Sequence, residues 1–346
     1  MKSADSLIWP GEHARSWFQG HTLGARHVPP ATELAARKRA EGLSVSVALP
    51  ALNEGTTVGT IVDIIQRELS ADGVGLIDEL VVLDGGSSDD TAMVAEAAGA
   101  TVVRIPEVLP EIPLVPGKGE SLWRSLAVLQ GDIVVWIDAD IKNFNSHFVS
   151  NLVAPLVMNP ELQFVKGYYD RPLERDGRLH AGEGGRVTEL LARPLLGTMF
   201  PELSGFIQPL SGEYAGRREI LEEVPFFTGY SVEVGLLIDL LQLVGLDALA
   251  QVDLGERVHR NRPLEELSPM AYTIARAILQ RAEARGRMES IVTFEDSPFL
   301  MPGGNEILQS RQIDEVERPP MRLLPTYLAG LRRRDEPLTP PIVEVL

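Results

Sequence analysis

Apolar residues recur along this chain in two alternating rhythms, and the alternation predicts its architecture. SVSVALPAL (44–52) is a β-branched, apolar run that reads as a buried central strand stopped by Pro50. TTVGTIVDIIQREL (56–69) then carries apolar residues at helical spacing, with Thr56 or Thr57 in place to cap its start. The theme repeats from residue 76: a strand ELVVLD, a Gly-Gly turn, and a helix TAMVAEAAG. TVVRI (101–105) is a third strand, PGKGESLWRSLAVLQ (116–130) opens a helix on a lysine flanked by glycines, and GDIVVWIDAD (131–140) is a fourth strand. Such alternation predicts βαβ units, right-handed crossovers and a mostly parallel sheet. LQFVKGYYDRPL (162–173) predicts one more strand, at the edge of a mixed sheet.

After residue 180 the rhythm changes. GEGGRVTELLARPLLGTMFPEL is a glycine-rich loop running into a helix, and PLSGEYAGRREIL is a strand or turn followed by a helix. The apolar stretch 232–252 contains Glu233, Asp239 and Asp247 and so reads as a buried amphipathic helix, not a membrane span. ALAQVDLGERVHRNRP is strand-like, a long helix covers about 266–285, and the last sixty residues form a wrapping tail. The expected organisation is an N-terminal arm (1–42), a nucleotide-binding α/β half (43–160), an acceptor-shaping half (161–320) and a C-terminal tail (321–346).

Composition narrows the class. Hydrophobic content of 44% and charged content of 23% over 346 residues are those of a soluble globular protein. A formal charge of −17 repels nucleic acid and anionic lipid, so neither is an expected partner, and any phosphate must be met by a local cation, a metal or backbone amides. The absence of cysteine excludes disulfides, thiolate chemistry and Cys-ligated zinc, and fits a reducing cytosol. The first seventeen residues lack the apolar core of a signal peptide. The expectation is a soluble, cytoplasmic chain.

Ligands of parallel α/β sheets sit outside the carboxyl ends of the strands. Three polar clusters fall at such ends: 50–54, 84–87, and Asp138-Ala139-Asp140. Two carboxylates side by side at a strand exit form either a solvated turn or the site of a hard divalent cation, Mg²⁺ or Mn²⁺. Lys118 sits where a helix dipole is already positive, which calls for an anion there unless the side chain is simply solvated. Glu54 either caps the next helix or meets a ligand. In GEGGRVT (182–188), Gly184 and Gly185 free backbone N–H groups, Arg186 offers a bidentate fork and Thr188 stands at a helix start, which makes either a compact phosphate cradle or a flexible loop with one solvent-facing arginine. Asn261 and Arg262 are placed to hold an acceptor's carboxylate or phosphate. Glu233, in an apolar helix, calls for an arginine partner or an acceptor hydroxyl to orient.

The stretches SVALPALNE, VVLDGGSSDDT, PGKGESLWRSL and IVVWIDAD resemble, in order and spacing, the GT-A nucleotide-sugar glycosyltransferases. GGRVTELLARPLL, QPLSGEYAGRRE, GYSVEVGLLIDLL and VHRNRPLEEL narrow the resemblance to the glucosyl-3-phosphoglycerate synthases and their mannosyl-transferring relatives, over residues 44 to 325. The resemblance implies a GT-A fold, a Rossmann-like mixed sheet flanked by helices. It implies retaining transfer of glucose or mannose from a nucleoside diphosphate sugar to 3-phosphoglycerate. Donor contacts would fall on Pro50, Ala51, Leu52, Glu54, Gly85, Lys118, Asp138 and Ala139. Acceptor contacts would fall on Gly185, Arg186, Val187, Thr188 and Asn261. Asp140 and His259 would hold a divalent metal, Mg²⁺ or Mn²⁺, and a homodimer is implied as well. Gly85 replaces the serine expected in relatives that prefer UDP, which leaves guanosine donors open. Catalysis would centre on Asp140, Leu210 and Glu233. QPLSGEY offers Leu210 and Ser211 near the sugar and no obvious nucleophile, although Glu213 is close, so front-face return is expected over double displacement. Two rivals remain: a sugar-1-phosphate nucleotidyltransferase, which shares the sheet and the metal but whose G-x-G-x-R signature is missing, and a non-catalytic nucleotide-sugar sensor, which would share the donor motifs but have no need of the GEGGRVT and VHRNR clusters.

Overall fold

A computed structural model describes residues 10–170, 173–175, 178–180, 185–258, 264–289, 299–302, 308–311 and 313–335. The chain opens with α1 (Pro10–His21), β1 (Thr22–Leu23) and α2 (Ala31–Ala40). Strands and helices then alternate as their periodicities dictate: β2 (Val45–Ala51), α3 (Val58–Leu69), β3 (Glu79–Asp84), α4 (Thr91–Ala97), β4 (Thr101–Arg104), α5 (Lys118–Ser125) and β5 (Ile133–Trp136). Helix α6 (His147–Met158) leads to β6 (Phe164–Asp170) and a small ribbon of β7 (Leu173–Arg175) and β8 (Arg178–His180). The second half contributes α7 (Arg193–Met199), β9 (Tyr214–Arg217), α8 (Arg218–Leu221), β10 (Phe226–Phe227), α9 (Val232–Val244) and β11 (Leu249–Glu256). After α10 (Leu264–Ala284) come a ribbon of β12 (Phe299–Pro302) and β13 (Leu308–Arg311), then β14 (Glu317–Arg318), which pairs with β10, and α11 (Pro325–Asp335).

One eight-stranded sheet runs β1-β11-β6-β9-β5-β2-β3-β4. Every pair is parallel except those made by β9, which is antiparallel to β5 and β6. Helices cover both faces. Val47, Leu49, Ile61, Phe148 and Leu152 pack on one side, and Trp123, Trp136, Phe164, Tyr214 and Leu237 on the other. That double burial is why the strands read as unbroken apolar runs.

Four expectations change. Pro50 does not stop β2, which continues to Ala51. The ladder to β5 has already ended at Ala48 and Trp136, so the missing N–H of Pro50 is not needed on that side. Strand β6 is not an edge: β11 and β9 flank it, arriving from residues too distant for local patterning to reveal. The first forty-two residues do more than lead in. Trp17 of α1 is buried and its Nε1 donates to the Leu249 carbonyl at 2.9 Å, while β1 extends the sheet beyond β11. Finally, the 232–252 stretch is a helix only to Val244, where Gly245 (φ 81) turns the chain toward β11. That helix is buried on all sides through Leu240. Its Asp239 is reconciled with this by Arg281 at 2.8 Å and Arg285 at 2.5 Å. Strands from both sides of residue 160 share the sheet. Among the described residues, no helix is long and apolar enough to cross a membrane.

If α1 is part of the core, Trp17→Ala should destabilise the chain by about 3–5 kcal/mol. The expected sign is a lowered urea midpoint with an unchanged slope. A change below about 1 kcal/mol would mean that the helix merely rests on the sheet.

Candidate active site

A cleft of about 830 Å³ opens at the carboxyl ends of β2, β3 and β5. The loops after these strands are tied to one another. Asn53 Oδ1 accepts the Ser88 N–H at 2.8 Å, and Asp84 Oδ1 accepts that of Ser87 at 2.9 Å. Thr91 Oγ1 accepts the Glu54 N–H at 2.8 Å. The expected cap Thr57 begins α3, but its hydroxyl donates to the Ala139 carbonyl at 2.6 Å, linking β2's exit loop to the Asp-Ala-Asp turn.

Pro50, Ala51, Leu52, Glu54 and Gly85 line one end of the cleft. Leu52 is 58% exposed there, an apolar side chain offered to the opening rather than to the core. Asp138, Ala139, Asp140 and Lys118 form the centre. Gly185 (φ 73), Arg186, Val187 and Thr188 face them from the acceptor-shaping half. Thr188 is buried and begins a π-helical turn, Thr188–Ala192, that feeds α7. Leu210 and Glu233 also line the cleft. Every expected site residue that is described therefore lies on one cavity. His259 and Asn261, with Gly184 and Arg262, lie outside the described residues. Residues that local patterning could not have placed complete the wall: Met270 and Thr273 of α10, and Asp314 and Glu315 of the tail.

Both strand-exit carboxylates are partly exposed and paired with cations of the protein itself. Lys118 Nζ lies 2.5 Å from Asp138 Oδ1 and 3.0 Å from Glu233 Oε1. Glu233 thus has a lysine where an arginine was expected. Arg257, at the end of β11, sets Nη2 3.0 Å from Asp138 Oδ2 and 2.6 Å from Asp140 Oδ1. Its Nη1 reaches Glu213 Oε1 and the Tyr169 hydroxyl, both at 2.8 Å. Local patterning does not mark Arg257: in GERVHRN the residue of metal-ligand type is the histidine two positions later, and the partners of the arginine are far off in sequence.

Electrostatics follow from this pairing. Burial works to raise the Asp138 pKa, but Lys118 and Arg257 outweigh it and hold the carboxyl far below the usual range. Burial likewise works to lower the Lys118 pKa, and Asp138 and Glu233 reverse the effect, keeping the ammonium charged. Arg257 stays charged against burial because Glu213, Tyr169, Asp138 and Asp140 surround it. Asp140 is the more open of the pair, its side chain 36% exposed against 23% for Asp138. Among the described residues, no group of three or more His, Asp or Glu could hold a metal alone.

Behind Asp138 the Leu210–Gly212 turn closes the floor. A Cβ on Gly212 would lie 2.2 Å from Asp138 Oδ2 and 2.6 Å from Lys118 Nζ, so only glycine allows this approach.

A mostly parallel sheet with its carboxyl ends opening on one cleft, centred on a paired Asp-X-Asp, is that of a GT-A glycosyltransferase. Comparison with known proteins bears this out. No protein-family model matches the chain. A glucosyl-3-phosphoglycerate synthase of Petrotoga mobilis is 44% identical over 297 residues, covering 85% of this chain and 91% of the relative. The crystal structure of mannosyl-3-phosphoglycerate synthase from Rubrobacter xylanophilus superposes with a TM-score of 0.81 at 41% identity, covering 90% of this chain and 98% of that one. Glucosyl-3-phosphoglycerate synthase from Mycobacterium tuberculosis, solved with Mn²⁺, UDP-glucose and phosphoglyceric acid, gives 0.75 at 44% identity, covering 88% and 98%. The chain belongs to the glucosyl-3-phosphoglycerate synthase family.

Arg257→Met keeps bulk and removes the charge shared by Asp138, Asp140 and the fully buried Glu213. Stability should fall by about 3–5 kcal/mol, as for one partner of a buried ion pair. Chemical denaturation measures it, and a loss under about 1 kcal/mol would show that the carboxylates do not depend on the guanidinium.

Proposed function

We propose that this chain transfers a hexose, glucose or mannose, from a nucleoside diphosphate sugar to the 2-hydroxyl of 3-phosphoglycerate with retention of configuration. The observation that carries the reading is the meeting, in one cleft, of the paired Asp138–Asp140 turn and the Gly185–Thr188 segment. The family membership supports the same donor and acceptor. The reading includes a homodimer, from the family resemblance, and a cytoplasmic location, which suits an acidic chain without cysteine.

The residues present fit a divalent metal, Mg²⁺ or Mn²⁺. Asp140 offers a hard carboxylate oxygen on the open side of the cleft, and His259 is the second ligand implied by its motif. The donor's diphosphate would supply further hard oxygens to a metal held there. Bound there, the metal neutralises charge that develops on the leaving diphosphate. Lys118, at the start of α5, adds a second positive charge beside Asp138. Leu52 offers the base an apolar surface, and Gly85 leaves room beside it. Arg186 and Thr188 hold the acceptor's phosphate, with Asn261 on its carboxylate, presenting the 2-hydroxyl to the face from which the diphosphate departs.

Retention without a covalent intermediate is supported by where the carboxylates are committed. Glu213 is fully buried and paired with Arg257, and Glu233 is buried and paired with Lys118. Neither is free to attack the anomeric carbon, so the acceptor proton passes to the departing phosphate oxygen while the new glycosidic bond forms on the same face.

The test is a donor panel of UDP-glucose, GDP-glucose and GDP-mannose, with and without 3-phosphoglycerate, in Mn²⁺ or chelator. Transfer with a retained anomer is expected only with acceptor and metal together, and Asp140→Ala should cost about 100- to 1000-fold in kcat. Undiminished turnover in chelator, or pyrophosphate-dependent chemistry, would contradict the reading. On the same panel, Gly85→Ser should shift kcat/KM toward the uridine donor, and an unchanged ratio would remove Gly85 from base selection.

A further inference from the structure

Lys166 is a charged side chain where the packing asks for an apolar one. It lies on β6, opposite Tyr214 of β9 and Gln251 of β11, and is 1% exposed. Phe164 and Tyr214 crowd the same region, and burying an ammonium among them is costly. Its role is not to satisfy Tyr214: the Nζ stands 4.4 Å over the ring, and the phenol oxygen is buried without a hydrogen-bond partner. The ammonium instead donates to the Ser211 carbonyl at 3.0 Å.

That bond has a geometric consequence. The Ser211 carbonyl and the Gly212 N–H belong to one planar trans peptide and point in opposite directions. Fixing the oxygen on an ammonium inside the sheet turns the Gly212 N–H away from it. Gly212 is on the cleft wall, against Asp138 and Lys118, and Leu210 lines the cleft beside it. The ends of the segment are held by β6 as well. Gln208 exchanges hydrogen bonds with the Tyr169 backbone, at 2.5 and 3.3 Å, and the Gly167 N–H donates to the Glu213 carbonyl at 2.9 Å. Lys166 is the grip in the middle.

We propose that Lys166 is a positioning residue for hexose transfer: from beneath the floor it holds the Ser211 peptide so that Leu210 and the Gly212 N–H stay set toward the transferring sugar. The inference rests on reading the cleft as a hexosyltransferase site. The lysine is there for placement, and burying its amine leaves the fold less stable. Burial draws the Lys166 pKa down to about 7, with Lys118 adding to the fall, against Glu233, Glu213 and Asp138, which oppose it. A group whose folded pKa lies below its ordinary 10.5 leaves the native state progressively more stable as pH rises from 7 toward 10.

Lys166→Met separates placement from support. The variant should keep or raise the melting temperature at pH 7, and the difference from wild type should shrink as pH approaches 10. It should bind UDP with Mn²⁺ as wild type does, hold KM for both substrates within about threefold, and lose about 100-fold in kcat. Lys166→Gln, which keeps an N–H donor one bond shorter, should recover part of that loss. A Met variant with full kcat, or one whose kcat, nucleotide binding and melting temperature fall together, overturns the proposal. If Lys166→Met fails to fold, Lys166→Gln decides it alone by the same kcat and KM split. Wild type is run alongside: no transfer by wild type sinks the hexosyltransferase reading and this inference with it, whereas transfer by wild type and variant alike sinks the inference only.

Discussion

The pairing of Asp138 and Asp140 with Lys118 and the buried Arg257 is the constraint on which the rest of the cleft depends. Asp138 is gripped by Lys118 on one oxygen and Arg257 on the other, and Arg257 extends the grip to Asp140. Each cation arrives on a different element, the start of α5 and the end of β11, so the pairing locks both halves of the chain to the tip of β5. Glu233 of α9 and Glu213, just before β9, join as further acceptors. The opening offers a negative Asp140 with its neighbour already neutralised, a setting in which one more hard cation and a diphosphate can be accommodated.

Such a cluster is an expensive way to fill a core. Buried ion pairs seldom stabilise relative to apolar packing, and breaking one leaves its partner stranded. The cleft gathers Lys118, Arg257, Glu213 and Glu233 about Asp138, with apolar clusters of aromatic and aliphatic residues on either face of the sheet to support them. The tail adds to this support: Arg318 pairs with the buried Glu120 at 2.7 Å, fixing the helix that carries Lys118.

How much of this could be read from the sequence follows from the range of the interactions. Strands β2 to β5 and helices α3 to α5 were legible because burial on both faces and helical spacing are local signals. The turns holding Asp138, Gly85 and Glu54 were legible because ligands of such sheets collect at strand ends. The antiparallel insertion of β9, the interior place of β6 and the sheet strand contributed by residues 22–23 were not, since each depends on a partner tens to hundreds of residues away. Arg257 shows the same limit inside the site. Its residue type was visible, but only the crossover that returns β11 beside β6 brings it against Asp138. Glu315 is the extreme case: it reaches the cleft by bonding Ser231, at 2.7 Å, from the far end of the chain.

The central proposal is that Asp140 receives a divalent cation that the diphosphate of the donor helps to hold. Titration of Mn²⁺ into the chain, followed by electron paramagnetic resonance with and without UDP or GDP, tests it most directly. Weak binding alone, tight binding with nucleoside diphosphate, and loss of the tight phase in Asp140→Asn are the results this account predicts. Tight Mn²⁺ binding that ignores the nucleotide, or that survives the loss of the Asp140 carboxylate, would contradict it.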